Sequence, residues 1–253
     1  MSDGTSNGAV LSADGVTKSY RISTAPHTVV DRVTLSVHHG ELVAVMGPSG
    51  CGKSTLLHLL AGLEPVDSGS VVINGQDLTK MDERGRTIFR RENIGFVFQF
   101  FNLVPNLTAA ENISLPLRIA GARSSYFDRV SDLMRDLNLR GLQGHRPDEI
   151  SGGEQQRVAI ARALLMKPSV IMADEPTGNL DFTTGNEVLE LLWARCAKDG
   201  ETAIIATHDA RAAAYADRVL VMRDGQIIET IELGRREDHN AAPLISRLAK
   251  LGL

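Results

Sequence analysis

The chain has 253 residues, 43% of them hydrophobic and 23% charged, which suits one large soluble domain, or a domain with a subdomain, around a substantial core. Its net charge of −4 argues against a nucleic-acid surface as its main business, and the basic pairs Arg90-Arg91 and Arg235-Arg236 read as solvated surface. No apolar run approaches the roughly 18 residues of a membrane span, and the first residues lack the apolar core of a signal peptide. The two cysteines, Cys51 and Cys196, lie far apart without metal-ligand spacing, so a cytosolic, reducing setting is expected.

In chain order, residues before about Asp14 are expected to be mobile. A strand-like stretch runs to Tyr20, then a turn-prone segment, then DRVTLSVHHGE, whose alternation predicts a half-buried strand. LVAVM is a short apolar run suited to a strand covered on both faces, and a helix is expected over residues 54–61. SVVINGQDL suggests an edge hairpin and IGFVFQ another strand. From about Thr108 to Lys167 the pattern is helical, which marks an inserted subdomain. SVIMADE and TAIIATH predict buried strands on either side of a helix over 183–198, and Asp224-Gly225 predicts a hairpin turn. The tail from Pro243 spaces Leu244, Leu248 and Leu251 as a short helix face docked on the body. Strands alternating with helices imply an α/β fold with a mainly parallel sheet.

Gly47-Pro48-Ser49-Gly50-Cys51-Gly52-Lys53-Ser54-Thr55 matches G-x-x-x-x-G-K-[ST] between a buried strand and a helix. Such a loop turns its N–H groups onto a phosphate chain, with Lys53 on the β and γ oxygens and Ser54 on Mg²⁺. This is a nucleoside-triphosphate site. Asp174, at the end of an apolar strand, is placed to serve the metal, and adjacent Glu175 to polarise an attacking water. Cys51 inside the loop is either a small filler or, beside a helix N-terminus, a thiol of lowered pKa open to oxidation.

Ser151-Gly152-Gly153 puts weak helix formers where the amphipathic helix that follows needs firm capping. A hydroxyl and two unhindered glycine amides at a helix start make a second anion grip. The phosphate loop already holds one nucleotide, so the second grip gains a ligand when two copies face head to tail and each closes the other's site.

This set resembles the ATP-binding subunit of ABC transporters, over about Leu11 to Ile231. Residues 150–157, ISGGEQQR, resemble the signature LSGGQ, with Ile150 at its first position and Glu154 at its last. The resemblance implies that Ser151, Gly152, Gly153 and Glu154 act in trans and that Tyr20 stacks on adenine. It also implies that Gln99 senses Mg²⁺ and water, that Asn179-Leu180-Asp181 crosses the dimer, and that His208 holds the γ-phosphate. The implied fold is a P-loop ATPase core over 11–233 with a mainly parallel sheet, an antiparallel β subdomain and a helical subdomain at about 100–167. Residues 1–10 would lie outside it, with 234–253 as a short helical extension. FVFQFFNLVPNLTAAENISLPL and DEPTGNLD are similar to the macrolide-export and lipoprotein-release group (MacB/LolD type). That implies ATP and Mg²⁺ as cofactors, a second copy or related ATPase and a membrane permease as partners, and a place on the cytoplasmic membrane face through the permease. Phe100-Phe101-Asn102-Leu103 is either a docking surface for the permease or subdomain packing. A regulatory ATPase of a cell-division or cell-wall machine remains the alternative function.

Overall fold

The computed structural model describes residues 8–22, 25–121, 127–234 and 240–252; the expectations for residues 1–7 and for Arg235-Arg236 lie outside them. The chain opens with strands β1 (Ala9–Ile22) and β2 (Ala25–His38), then β3 (Leu42–Met46), helix α1 (Lys53–Leu60) and the short strands β4 (Ser68–Ile73) and β5 (Gln76–Asp77). Helix α2 (Glu83–Asn93) and β6 (Ile94–Val97) precede three helices, α3 (Ala109–Ile119), α4 (Phe127–Asp136) and α5 (Gly152–Leu164). Then follow β7 (Val170–Asp174), α6 (Phe182–Asp199), β8 (Ala203–Thr207), the short α7 (Ala210–Ala213), β9 (Arg218–Arg223), β10 (Gln226–Glu232) and α8 (Ala242–Lys250).

Among the described residues the strands form two sheets. One is antiparallel, in the order β2-β1-β4-β5; the other has the order β10-β9-β3-β8-β7-β6. The second sheet is parallel from β9 to β6, with β10 antiparallel at its edge. Every residue of β3, β7 and β8 is buried, as continuous apolar runs demand when helices or a second sheet cover both faces. The period of two along β3 sorts its side chains between two cores. Leu42, Ala44 and Met46 join α3, α5, α6 and α8, whereas Val43 and Val45 face α1 and the antiparallel sheet.

Two sequence expectations need correction, and one helix has no counterpart among them. Residues 9–13 belong to strand β1 instead of a mobile leader, because Val10 and Leu11 fill the core beneath the antiparallel sheet. Of the segment expected to turn after Tyr20, residues 21–22 and 25–30 are strand: Tyr20 pairs with His27 and Arg21 with Pro26. Pro26 is tolerated because β2 is an edge strand, where a missing N–H leaves no ladder partner wanting. Helix α2 is very polar and buries only Phe89, so no apolar run announces it; its sequence signal is Asp82, which caps it by accepting from Gly85 N at 2.7 Å.

Elsewhere the elements follow the pattern. Asp224 (φ 48) and Gly225 (φ 80) make the tight turn between β9 and β10. The C-terminal helix is docked as its leucine spacing predicts, with Leu244 and Leu248 buried in the core and Leu251 packed at its margin. Leu244→Ala is expected to lower unfolding stability by about 2–5 kcal/mol in urea titrations. Ile245→Ala, on the half-exposed side of the same helix, should stay within about 0.5 kcal/mol of the parent.

Candidate functional site

The phosphate loop joins β3 to α1, and its glycines are set by close backbone approach. A Cβ on Gly47 would lie 2.1 Å from Met222 O, and one on Gly52, at φ 105, would lie 2.4 Å from Val29 O. Gly52 offers α1 no side-chain cap, so the first amides of the helix are left for an anion. In front of them lies a cleft of about 670 Å³, lined by Val29, by Pro48, Ser49, Gly50 and residues 52–55, and by Gln99, Glu175 and His208.

Its charges are closely coupled. Lys53 is buried, and its Nζ donates to Gly47 O at 2.9 Å and Pro48 O at 3.1 Å, 3.9 Å from Glu175 Oε1. Ser54 Oγ donates to Asp174 Oδ1 at 2.9 Å. Burial holds the Asp174 carboxyl above the ordinary carboxylate range, against the opposing pull of that hydrogen bond. Glu175 carries a positive φ of 45, rare for a side-chain-bearing residue, and its N–H donates to Ala206 O at 2.9 Å. Its Oε1 lies 2.9 Å from His208 Nδ1; a carboxylate oxygen only accepts, so that nitrogen bears the hydrogen. Gln99 Nε2 stands 3.4 Å from where a Cβ on Gly178 would be, and Asn179 Nδ2 donates to Gln99 O at 2.7 Å. Lys53, Gln99, Glu175 and His208 therefore share one cleft, with Ser54 and Asp174 paired at its base.

Among the described residues no group of three or more His, Cys, Asp or Glu side chains could hold a metal unaided. The Ser54–Asp174 pair suits Mg²⁺, which takes one or two protein oxygens and completes its shell with phosphates and water.

Other predicted residues are not among those lining the cleft. Tyr20 does not line it: its hydroxyl donates to Glu64 Oε2 at 2.6 Å, and its ring centroid is 5.6 Å from Lys18 Nζ. Gly47 and Cys51 are buried and do not line the cleft. Residues 151–154 are also absent from the lining, and they pack beside the loop that enters α6. A Cβ on Gly152 would lie 3.5 Å from Leu180 Cδ2, and one on Gly153 would lie 2.2 Å from Thr184 Cγ2. The expectation of a poorly capped helix is overturned, because Ser151 is the N-cap of α5 and Glu154 completes a capping box. Glu154 Oε2 accepts from both Ser151 N and Ser151 Oγ at 2.8 Å. The S-x-x-E spacing of Ser151 and Glu154 is the sequence signal of that box. Asp181 caps α6 by accepting from Thr184 N at 3.1 Å. Val29 also lines the cleft, a role its turn-like neighbours in the sequence conceal.

A family model for ABC transporters matches residues 30–178. The chain belongs to that family. An uncharacterised ABC transporter ATP-binding protein of Mycobacterium tuberculosis is 42% identical over 93% of this chain and 96% of its own length. The lipoprotein-releasing system ATP-binding protein LolD 2 of Caulobacter vibrioides is 44% identical over 86% of this chain and 96% of its own. Among solved structures, the dimeric post-hydrolysis state of the ATP-binding cassette MJ0796, bound to ADP and Pi, superposes with a TM-score of 0.82 at 38% identity. It covers 88% of this chain and 98% of that one. As an ABC cassette of the LolD-like group, the chain binds ATP and hydrolyses it as the ATPase subunit of a transporter.

The notion of an acidic, reactive Cys51 is overturned. Burial pushes this thiol above its ordinary range, outweighing the nearby Lys53 ammonium, which pulls the other way. The thiolate is therefore scarcer at neutral pH than in free cysteine. At pH 7–8 iodoacetamide should modify Cys51 more slowly than free cysteine, with the rate still climbing above pH 9; mass spectrometry of the loop peptide reads this directly. Faster modification than free cysteine would contradict the burial argument.

Proposed function

We propose that the chain is the motor of a membrane transporter, driving export, extraction or transmembrane mechanotransmission through a partner permease by ATP-driven closure of a head-to-tail dimer. One observation carries this reading. Lys53, Glu175 and His208 converge on one cleft, while Ser151, Gly152 and Gly153 lie outside it on the same chain. A second subunit is then needed to bring the signature residues to the phosphates, and MJ0796 supports that arrangement as a dimeric cassette holding ADP and Pi.

In this scheme Gly47, Pro48, Ser49, Gly50, Cys51, Gly52 and Thr55 wrap the phosphates with backbone amides, and Tyr20, anchored by Glu64, offers its ring to adenine. Lys53 exchanges the carbonyls of Gly47 and Pro48 for phosphate oxygens. Ser54, Asp174 and Gln99 would hold Mg²⁺, which would supply neutralising charge at the phosphates. Glu175 takes a proton from the attacking water, and the adjacent His208 orders that water against the γ-phosphate. Asn179, Leu180 and Asp181 cross to the partner as Ser151, Gly153 and Glu154 close over its nucleotide. Because the reaction is mainly positioning and charge stabilisation, an open monomer hydrolyses slowly.

Among the described residues no helix is long and apolar enough to cross a membrane, so the place at the cytoplasmic face depends on the permease. Within the stretch after Gln99, Phe101 and Leu103 pack internally, whereas Phe100, 71% exposed, with the apolar groove of about 480 Å³ lined by Phe98, Pro116 and Ile119 on the same subdomain, favours permease docking. Glu175→Gln should bind ATP, dimerise on light scattering, and lose about 10²–10⁴-fold in phosphate release. Normal turnover in that variant would refute the general-base role. Purification from native membranes should bring down a permease; recovery of a division or cell-wall protein instead would favour a regulatory ATPase.

A further inference from the structure

Immediately after Gln99 the backbone takes a shape that side chains disfavour. Phe101 (φ 58) and Asn102 (φ 49) are consecutive left-handed residues, and neither is glycine. Such a pair persists only where its surroundings hold it. The guanidinium of Arg162, in the last turn of α5, does so: Nη2 donates to Phe101 O at 2.9 Å and Nη1 to Asn102 O at 2.6 Å. The planar fork of arginine suits two neighbouring acceptors in a way that a lysine ammonium does not. Burial pushes the Arg162 pKa down, and among the described residues no acidic side chain opposes that shift. The cation therefore rests on main-chain carbonyls.

The same stretch is held elsewhere too. Asn179 grips its start through Gln99 O at 2.7 Å, and Phe101 reaches the far end of α5, its Cζ 3.7 Å from where a Cβ on Gly152 would be. Gln99 itself lines the nucleotide cleft. The loop thus lies along α5 between two grips, with exposed Phe100 between them.

We propose that Arg162 is a positioning residue: by gripping the carbonyls of Phe101 and Asn102 it sets where Gln99 stands in the cleft and where Phe101 meets Gly152. It acts through Gln99 and touches neither nucleotide nor metal. The role in turnover rests on the ATPase reading of the cleft; the grip itself does not.

Two variants separate these parts. Arg162→Met keeps most of the stem and removes the fork, whereas Arg162→Lys keeps the charge but offers one ammonium where the fork spanned two carbonyls. In nucleotide-free protein, hydrogen exchange of a peptide covering residues 98–104 should quicken about tenfold in Arg162→Met and partly recover in Arg162→Lys. Peptides from β3 and α1 should be unchanged. In turnover assays Arg162→Met should lose roughly tenfold or more in kcat, with the KM for ATP within about twofold of the parent. Unchanged exchange at 98–104 overturns the proposal, as does faster exchange throughout the chain, which would make Arg162 a general structural residue. Faster local exchange with full kcat overturns the link to Gln99. If Arg162→Met fails to fold, Arg162→Lys decides by the same local exchange. Wild-type protein unable to hydrolyse ATP would sink the reading of the cleft, and the exchange result would still decide the grip.

Discussion

The site depends on backbone packed against backbone where no side chain fits. Gly47 lies against the carbonyl of Met222 at the end of β9, and Gly52 against the carbonyl of Val29 in β2. Gly225 adds a hydrogen bond from its N–H to Cys51 O at 3.1 Å and accepts one from Asp31 N at 2.9 Å. The phosphate loop is thereby wedged between the two sheets, one contributing β2 and the other β9. A methyl group at either loop glycine would drive the sheets apart or flatten the loop. The amides at the start of α1 face the cleft because the loop has nowhere else to go.

Electrostatics then give the cleft its character. Lys53 is buried with two carbonyls as acceptors and Glu175 at 3.9 Å, an arrangement that keeps a desolvated ammonium satisfied without committing it to a tight ion pair. Asp174 rests on the Ser54 hydroxyl, and Glu175 on His208. Each charged group is held by a partner that a phosphate, a metal or a water can replace. The positive φ of Glu175 fits the same picture, since strain at a strand end aims a carboxylate into the cleft that an extended strand would point elsewhere.

Legibility from the amino-acid sequence followed locality. The phosphate loop, the strand ends bearing Asp174 and His208, and the buried strands β3, β7 and β8 are written in contiguous residues whose pattern has one dominant physical reading. The first half of β2 was hidden because Pro26 and its polar neighbours suggest a turn, and only pairing with β1 makes them strand. Helix α2 is hard to read because it is strongly polar and buries little besides Phe89. Glu154 has a clear local signature, overlooked in favour of the two glycines beside it. Arg162 left no trace, because its partners are carbonyls about sixty residues away and carbonyls carry no sequence identity. For Cys51 the helix-terminus argument pointed the wrong way, since burial is a property of the assembled fold.

The support of the phosphate loop also has a temporal side. Residues 47–55 are made early, yet both parallel neighbours of β3 come from β8 and β9, and the contacts at Met222 and Gly225 lie later than almost everything else in the described chain. During synthesis the loop emerges long before its walls exist, and its glycines stay as free as in any unstructured peptide. Nucleotide can be gripped only after the ribosome has released the final hairpin, so a truncated product lacking that hairpin would be born unable to hold fuel.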